Sequence, residues 1–153
     1  HEVIHQRIAD ATGVSVLGTA ENHNNFAWKE MVDGKELIVH RKGATPAGKG
    51  VLGIIPGSMG DPGYVVRGKG NEDSINSASH GAGRKMSRRA ANKAYSRGEL
   101  LSYLKPRKIE LIGGGVDETP HAYKSIKRVM EAQEDLVEVI GEFMPRIVRM
   151  ASD

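Results

Sequence analysis

The sequence predicts an α+β protein, with short β-sheets flanked by helices, on three observations. Asp33-Gly34 separates two strand-like runs, residues 26–32 and 36–41, as a tight hairpin turn does. Glycine recurs from Gly43 to Gly70 at a density that no helix tolerates, which leaves room only for short strands. A short segment that stops at Gly13 reads as a helix before this region, and segments with apolar residues at helical spacing lie after it.

The elements follow in order. Residues 3–11 form a short helix that Gly13 stops. After the hairpin, the apolar runs 51–55 and 64–67 read as strands between loops. A helix starts near Gly83 and runs through Ala90, Ala91 and Ala94 to about Tyr95. A second, residues 99–104, ends before Pro106. Residues 108–112 form a strand closed by three glycines. Asp117, Glu118 and Thr119 then precede Pro120 as a helix start, and Ile126, Val129, Met130, Leu136, Val137 and Ile140 recur as one helical face. This predicts a long helix stopped by Pro145, and residues 146–150 close the chain as a strand. No repeat or linker divides residues 1–153, so a single domain is expected.

A chain of 153 residues can bury one core, and 39% hydrophobic with 27% charged residues describes a folded globular protein. Net charge is only +3, yet arginine and lysine crowd between Arg84 and Arg97. Such a local patch suits phosphate or nucleic acid, although a solvated helix face has the same composition. No apolar run approaches the roughly 20 residues of a membrane span, so no membrane partner is expected. With no cysteine there is neither a disulfide framework nor a thiolate metal site in this chain, in keeping with a cytoplasmic setting. The chain opens on His1 rather than methionine, which suggests a processed product or the later part of something longer.

Three stretches carry candidate chemistry. Residues 43–50, Gly-Ala-Thr-Pro-Ala-Gly-Lys-Gly, match a phosphate-binding P-loop except at Gly50, where a hydroxyl should bind magnesium. A strand-like run follows instead of a helix, so only a glycine-rich turn remains. Pro56-Gly-Ser-Met-Gly60 can present backbone N–H groups and the Ser58 hydroxyl to a phosphate. Ser79-His-Gly-Ala-Gly83 surrounds His80 with residues too small to cover it, followed by Arg84 and Arg88. That suits a phosphoryl-accepting imidazole with cations to absorb developing charge. A surface-loop histidine capping a helix has the same residues, and both readings stay open at this point.

Taken together and in order, several segments resemble the C-terminal part of the RtcB-type RNA ligases. They are Asn22-His-Asn-Asn-Phe26, Arg41-Lys-Gly-Ala44, Ile54-Ile-Pro-Gly-Ser-Met-Gly60, Gly68-Lys-Gly-Asn71, Ser79-His-Gly-Ala-Gly-Arg84, Ala122-Tyr-Lys124 and Asp135-Leu-Val-Glu-Val139. The resemblance implies an RtcB-like α+β fold of which this chain is the C-terminal portion, and an enzyme, an RNA ligase, that works in RNA repair or tRNA splicing. It would join RNA 2′,3′-cyclic phosphate or 3′-phosphate ends to 5′-hydroxyl ends with GTP and Mn²⁺. His80 would be the nucleophile that carries GMP. Asn25, Pro56, Gly57, Ser58, Met59, Gly81, Ala82 and Gly83 would lie along the guanylate, and Arg84 would contact phosphate or an RNA end. The missing N-terminal half of the ligase would be a partner.

The chain departs from that pattern at three places. Asn24 stands at a manganese-ligand position where the family has histidine, and an amide oxygen is a weak neutral ligand. Gly63 replaces a serine. Ala151 stands where the family has a guanine-reading lysine, with Arg149 nearby as a substitute. The further metal ligands of the family lie upstream of this chain. These departures motivate an alternative, a catalytically silent RNA- or nucleotide-binding fragment with an incomplete metal site.

Overall fold

The computed structural model describes residues 2–23 and 25–151. Helix α1, Glu2–Thr12, ends where Gly13 takes φ +68° and its N–H donates to the Ala9 carbonyl at 2.8 Å. Strands β1 (Asn25–Val32) and β2 (Lys35–Lys42) pair antiparallel, with Val32 opposite Lys35. Asp33 and Gly34 between them both have positive φ, the geometry that matches the twist of a two-residue hairpin.

One buried cation ties this hairpin to the strand that precedes His80. Arg41, only 3% exposed, donates to both Glu30 carboxylate oxygens at 2.6 and 2.8 Å. It also donates through Nε to Ser77 Oγ and through Nη2 to the Ile75 carbonyl, each at 2.8 Å, and its guanidinium lies 5.2 Å from the Trp28 ring centroid. Ser77 begins β6 (Ser77–Ser79), which pairs antiparallel with β3 (Ala44–Pro46). The Arg41 hydrogen bond holds the Glu30 carboxyl below its ordinary value of 4.5; desolvation opposes this and the Arg41 charge adds to it. A lowered folded-state pKa stabilises the fold above the unfolded value and loses that contribution as pH falls through the folded one. Thermal melts of the parent should therefore drop on acidification below about 4.5. Glu30→Gln should remove that part of the pH dependence and cost ~3 kcal/mol at pH 7, because the Arg41 charge stays buried without its partner.

The central sheet has the order β4-β5-β8 and is antiparallel throughout, with β4 at Leu52–Pro56, β5 at Gly63–Gly68 and β8 at Val137–Phe143. Ile55, Val66 and Val137 from these strands pack with Ala47, Ala78, Ala82, Ile126 and Met130. The long helix expected from Pro120 to Pro145 does not form. A 3-10 turn, Pro120–Ala122, is followed by a six-residue helix, Ile126–Glu131, and then by β8. Leu136, Val137 and Ile140 fit a helical face, but Val137 and Val139 equally lie on one side of a strand, opposite Gly68 and Val66 and ahead of a bulge at Ile140. The free edge of β5 and the β-branched residues decide the matter. Glu138, on the other side, meets Arg67 at 3.3 Å.

The helix expected from Gly83 begins later. Helix α2 is Arg88–Ala94, capped by Ser87, whose hydroxyl accepts from the Ala90 N–H at 3.1 Å. Arg84 instead forms an isolated antiparallel bridge with Tyr123. Helix α3, Arg97–Leu104, starts at a Ser96/Glu99 capping box and buries Leu100 and Leu104 against Met59 and Ile109. The six-residue helix, Ile126–Glu131, is α4. Strands β7 (Glu110–Ile112) and β9 (Ile147–Arg149) pair in parallel. Among the described residues no helix is long and apolar enough to cross a membrane.

Candidate active site

Two glycine-rich turns meet at the end of β4. In the first, the Gly57 N–H donates to the Pro62 carbonyl at 3.0 Å and the Asp61 N–H to the Ser58 carbonyl at 3.0 Å. A Cβ on Gly57 would sit 2.6 Å from that Pro62 oxygen and 2.7 Å from Asp61 Cβ, so the turn closes only around glycine. Ser58 is buried; its hydroxyl donates to Asp61 Oδ2 at 2.5 Å and accepts from the Gly60 N–H at 3.3 Å. The hydroxyl thus braces its own turn in this structure.

The second turn carries His80. The Ser79 N–H donates to Gln133 Oε1 at 2.9 Å, and the Ser79 hydroxyl to the Gly81 carbonyl at 2.7 Å. The His80 N–H approaches the Gly43 carbonyl at 3.4 Å, and the Ala82 N–H donates to the Pro56 carbonyl at 3.2 Å. This last bond joins the two turns. His80 is half-buried, and the Nε2–Cδ2 edge of its ring lies 3.9 to 4.0 Å from where a Cβ on Gly43 would be. Among the described residues the ring nitrogens have no hydrogen-bond partner. Gly43 follows Lys42, which pairs with Asn25, whose side chain meets His40 Nε2 at 2.9 Å. Asn25, Pro56, His80, Gly81 and Ala82 are therefore neighbours through the backbone, although they lie up to 57 positions apart in sequence.

Beside the first turn is a cleft of about 280 Å³. The 56–59 turn forms one side, and Glu118, Tyr123, Val148 and Met150 form the others. Glu118 was read in the sequence as part of a helix start, and Tyr123 only within the resemblance. Neither was named as a site residue, because their meeting with the turn depends on the 84–123 bridge. The Tyr123 hydroxyl is held above its usual range mainly by burial, with Glu118 raising it further and Arg84 opposing.

Arg84 does not reach toward an open phosphate site in this structure. Its Nη2 donates to the Asp117 carbonyl at 2.6 Å, its Nε to the Met86 carbonyl at 3.1 Å and its Nη1 to the Tyr123 hydroxyl at 3.2 Å. Gly83, at φ +70°, is exposed just before it and caps no helix. Arg88 is paired with Asp117 and Glu118.

The departures from the family pattern also have geometry. A Cβ on Gly63 would lie 2.4 Å from Phe143 Cζ, so the aromatic ring occupies the space a serine would need. Arg149 alternates with the cleft-lining Val148 and Met150 and is exposed, so it faces away from the cleft. Asn24 lies outside the described residues. His23 packs on aromatic rings, 5.4 Å from Phe26 and 6.4 Å from Trp28. Among the described residues no group of three or more His, Cys, Asp or Glu is placed to hold a metal ion. The side chains described thus do not by themselves fit manganese.

The chain is 50% identical over 121 residues to the RNA-splicing ligase RtcB of Escherichia coli, a match that covers 77% of this chain and 29% of that protein. It is 37% identical over 147 residues to the tRNA-splicing ligase RtcB of Nanoarchaeum equitans, covering 80% of this chain and 31% of that protein. Against the RNA-splicing ligase RtcB of Mycobacterium tuberculosis the figures are 33% identity, 94% of this chain and 39% of that protein. The chain thus spans between about three tenths and two fifths of the length of these relatives. The sequence profile of the tRNA-splicing ligase RtcB family matches residues 1–151, and with these identities it shows that the chain belongs to the RtcB family.

Proposed function

We propose that this chain carries the guanylate-accepting part of an RNA ligase, one that joins 3′-phosphate or 2′,3′-cyclic phosphate ends to 5′-hydroxyl ends at the expense of GTP. The observation that supports it is His80: an imidazole without a hydrogen-bond partner among the described residues, beside a bare glycine and joined through the Ala82–Pro56 bond to the turn that lines a cleft. An unpartnered ring nitrogen keeps its lone pair for an incoming electrophile. In the proposed step, a His80 nitrogen forms a bond to the α-phosphorus of GTP, and the bond from that phosphorus to the bridging oxygen breaks, releasing pyrophosphate. The RNA 3′-phosphate then takes the guanylate from His80, and the 5′-hydroxyl displaces GMP. Gly81 and Ala82, both buried, fix the loop beneath His80, and the 280 Å³ cleft seats the base.

Manganese belongs to the reading through the resemblance alone. When bound, it would neutralise charge on the attacked phosphate. Its ligands would come mainly from the part of the relatives that this chain does not span.

The test combines the chain with the upstream part that its relatives have, and adds GTP labelled at the α-phosphate and Mn²⁺. The expected result is covalent label on the protein that is stable to alkali and released by acid, as a P–N bond requires. RNA binding with a steep salt dependence but no covalent label would instead establish a silent binding module.

A further inference from the structure

The wall of the cleft opposite the 56–59 turn is held by a directional chain of three side chains. The Arg84 guanidinium donates to the Tyr123 hydroxyl at 3.2 Å and lies 5.1 Å from the centroid of its ring. The Tyr123 hydroxyl has one proton, and it donates that proton to Glu118 Oε2. The same carboxylate oxygen lies 3.4 Å from Arg84 Nη1, and Oε1 lies 2.8 Å from Arg88 Nη2 as an ion pair. One hydrogen-bond donor and two guanidinium cations therefore converge on Glu118, whose side chain is only 14% exposed.

The chain leads back to the nucleophile. Arg84 is four residues beyond His80, and its backbone is fixed to the Tyr123 segment by two bonds, Lys85 N–H to the Ala122 carbonyl and Lys124 N–H to the Gly83 carbonyl, both 2.9 Å. In such a pair Arg84 and Tyr123 project on the same face, which their ring contact requires. The Tyr123 side chain cannot swing away about its Cα–Cβ bond without breaking its hydroxyl bond to Glu118. Arg84 cannot leave the ring without losing the carboxylate beside it.

We propose that Glu118 is a positioning residue for the ligase reaction: through Tyr123 and Arg84 it holds the wall of the nucleotide cleft in register with the His80 loop. The inference rests on the proposed function, because it takes the cleft to be the seat of the nucleobase. The ligand class is a purine nucleoside triphosphate. Glu118 does not touch the reacting phosphate; it acts by fixing an aromatic wall and the loop tied to it. Burial and the neighbouring carboxylate keep the Tyr123 hydroxyl protonated, so the donor is in place throughout the neutral range.

The test measures covalent guanylylation against GTP concentration in the same reconstituted ligase, for the parent, Glu118→Gln, Glu118→Ala, Tyr123→Phe and the double variant Glu118→Ala/Tyr123→Phe. Glu118→Ala should raise the half-saturating GTP concentration by roughly tenfold with a smaller change in the saturated rate, as loss of a binding wall does. Tyr123→Phe should shift it in the same direction. The double variant should be little worse than Glu118→Ala, because both changes break one chain. Glu118→Gln keeps an acceptor for the Tyr123 hydroxyl and should recover part of the shift. Independent, multiplying effects in the double variant would overturn the proposal. So would a Glu118→Gln enzyme with an unchanged half-saturating GTP concentration and only a lowered melting temperature. A parent that takes up no label refutes the ligase reading itself, and this inference with it; a labelled parent with indifferent variants refutes this inference alone.

Discussion

His80→Ala is expected to abolish covalent guanylylation, at least ~10³-fold below the parent, while leaving the fold intact. The two halves of this expectation have separate grounds. The reaction needs a nitrogen lone pair at that position, and no neighbour offers another: Ser79 is hydrogen bonded to the Gly81 carbonyl, and Ser58 is closed onto Asp61. The fold, by contrast, asks little of the ring. Its nitrogens have no partner among the described residues, and it lies beside a glycine instead of inside either apolar cluster. Truncation should therefore cost less than ~1 kcal/mol, which thermal melting can check beside the labelling assay. Label retained on His80→Ala would falsify the assignment of the nucleophile.

The second large effect is on stability. Gly68→Ala should destabilise the protein by ~4 kcal/mol, because the new Cβ meets backbone that has nowhere to go. It would lie 2.3 Å from the Gly48 carbonyl oxygen and 2.4 Å from the Ala47 carbonyl carbon and oxygen. Gly68 is fixed from both sides, since its N–H donates to the Val51 carbonyl at 2.8 Å and its carbonyl accepts from Gly50 at 2.9 Å. The strain passes directly to the site. Ala47 follows β3, and β3 holds β6, whose end is the His80 turn. A loss of labelling that tracks the unfolded fraction is therefore expected. Two other glycines separate sterics from conformation. Gly50→Ala meets no atom within 4 Å but stands at φ +81°, so about 1 kcal/mol is expected. Gly18→Ala meets neither obstacle and should be silent in denaturant melts.

The local elements were readable where a short stretch contains its own instructions. Asp33-Gly34 dictates a positive-φ turn, Gly13 a helix stop and Pro106 an end to the helix before it, so the hairpin, α1 and the body of α3 lie close to their expected places, although the Ser96/Glu99 capping box starts α3 two residues earlier than expected. Residues 51–55 and 64–67 form strands within one residue of the expected bounds at either end. The clearest apolar period misled. Residues 126–140 satisfy a helical face, but only the first six of them are helical, and the later part is taken by the unpaired edge of β5. Backbone donors on an exposed sheet edge demand a partner, and no periodicity within residues 126–140 reports a demand that arises in residues 63–68.

The candidate site divides in the same way. The residues flanking His80 within 79–83 are too small to cover an imidazole, and this follows from residue size, so the sequence alone determined it; that position 57 admits only glycine follows from its contacts with Pro62 and Asp61 in the fold. Which groups face the cleft was decided only by tertiary structure. Arg84 turned inward to Tyr123 and Asp117, the Ser58 hydroxyl turned to Asp61, Phe143 filled the space beside Gly63, and Glu118 became the acceptor at the centre of the wall. Each of these outcomes depends on a partner between 3 and 80 positions away. The physical reason is that a buried polar group takes whichever partner the packing brings near, and only the folded chain settles which one that is.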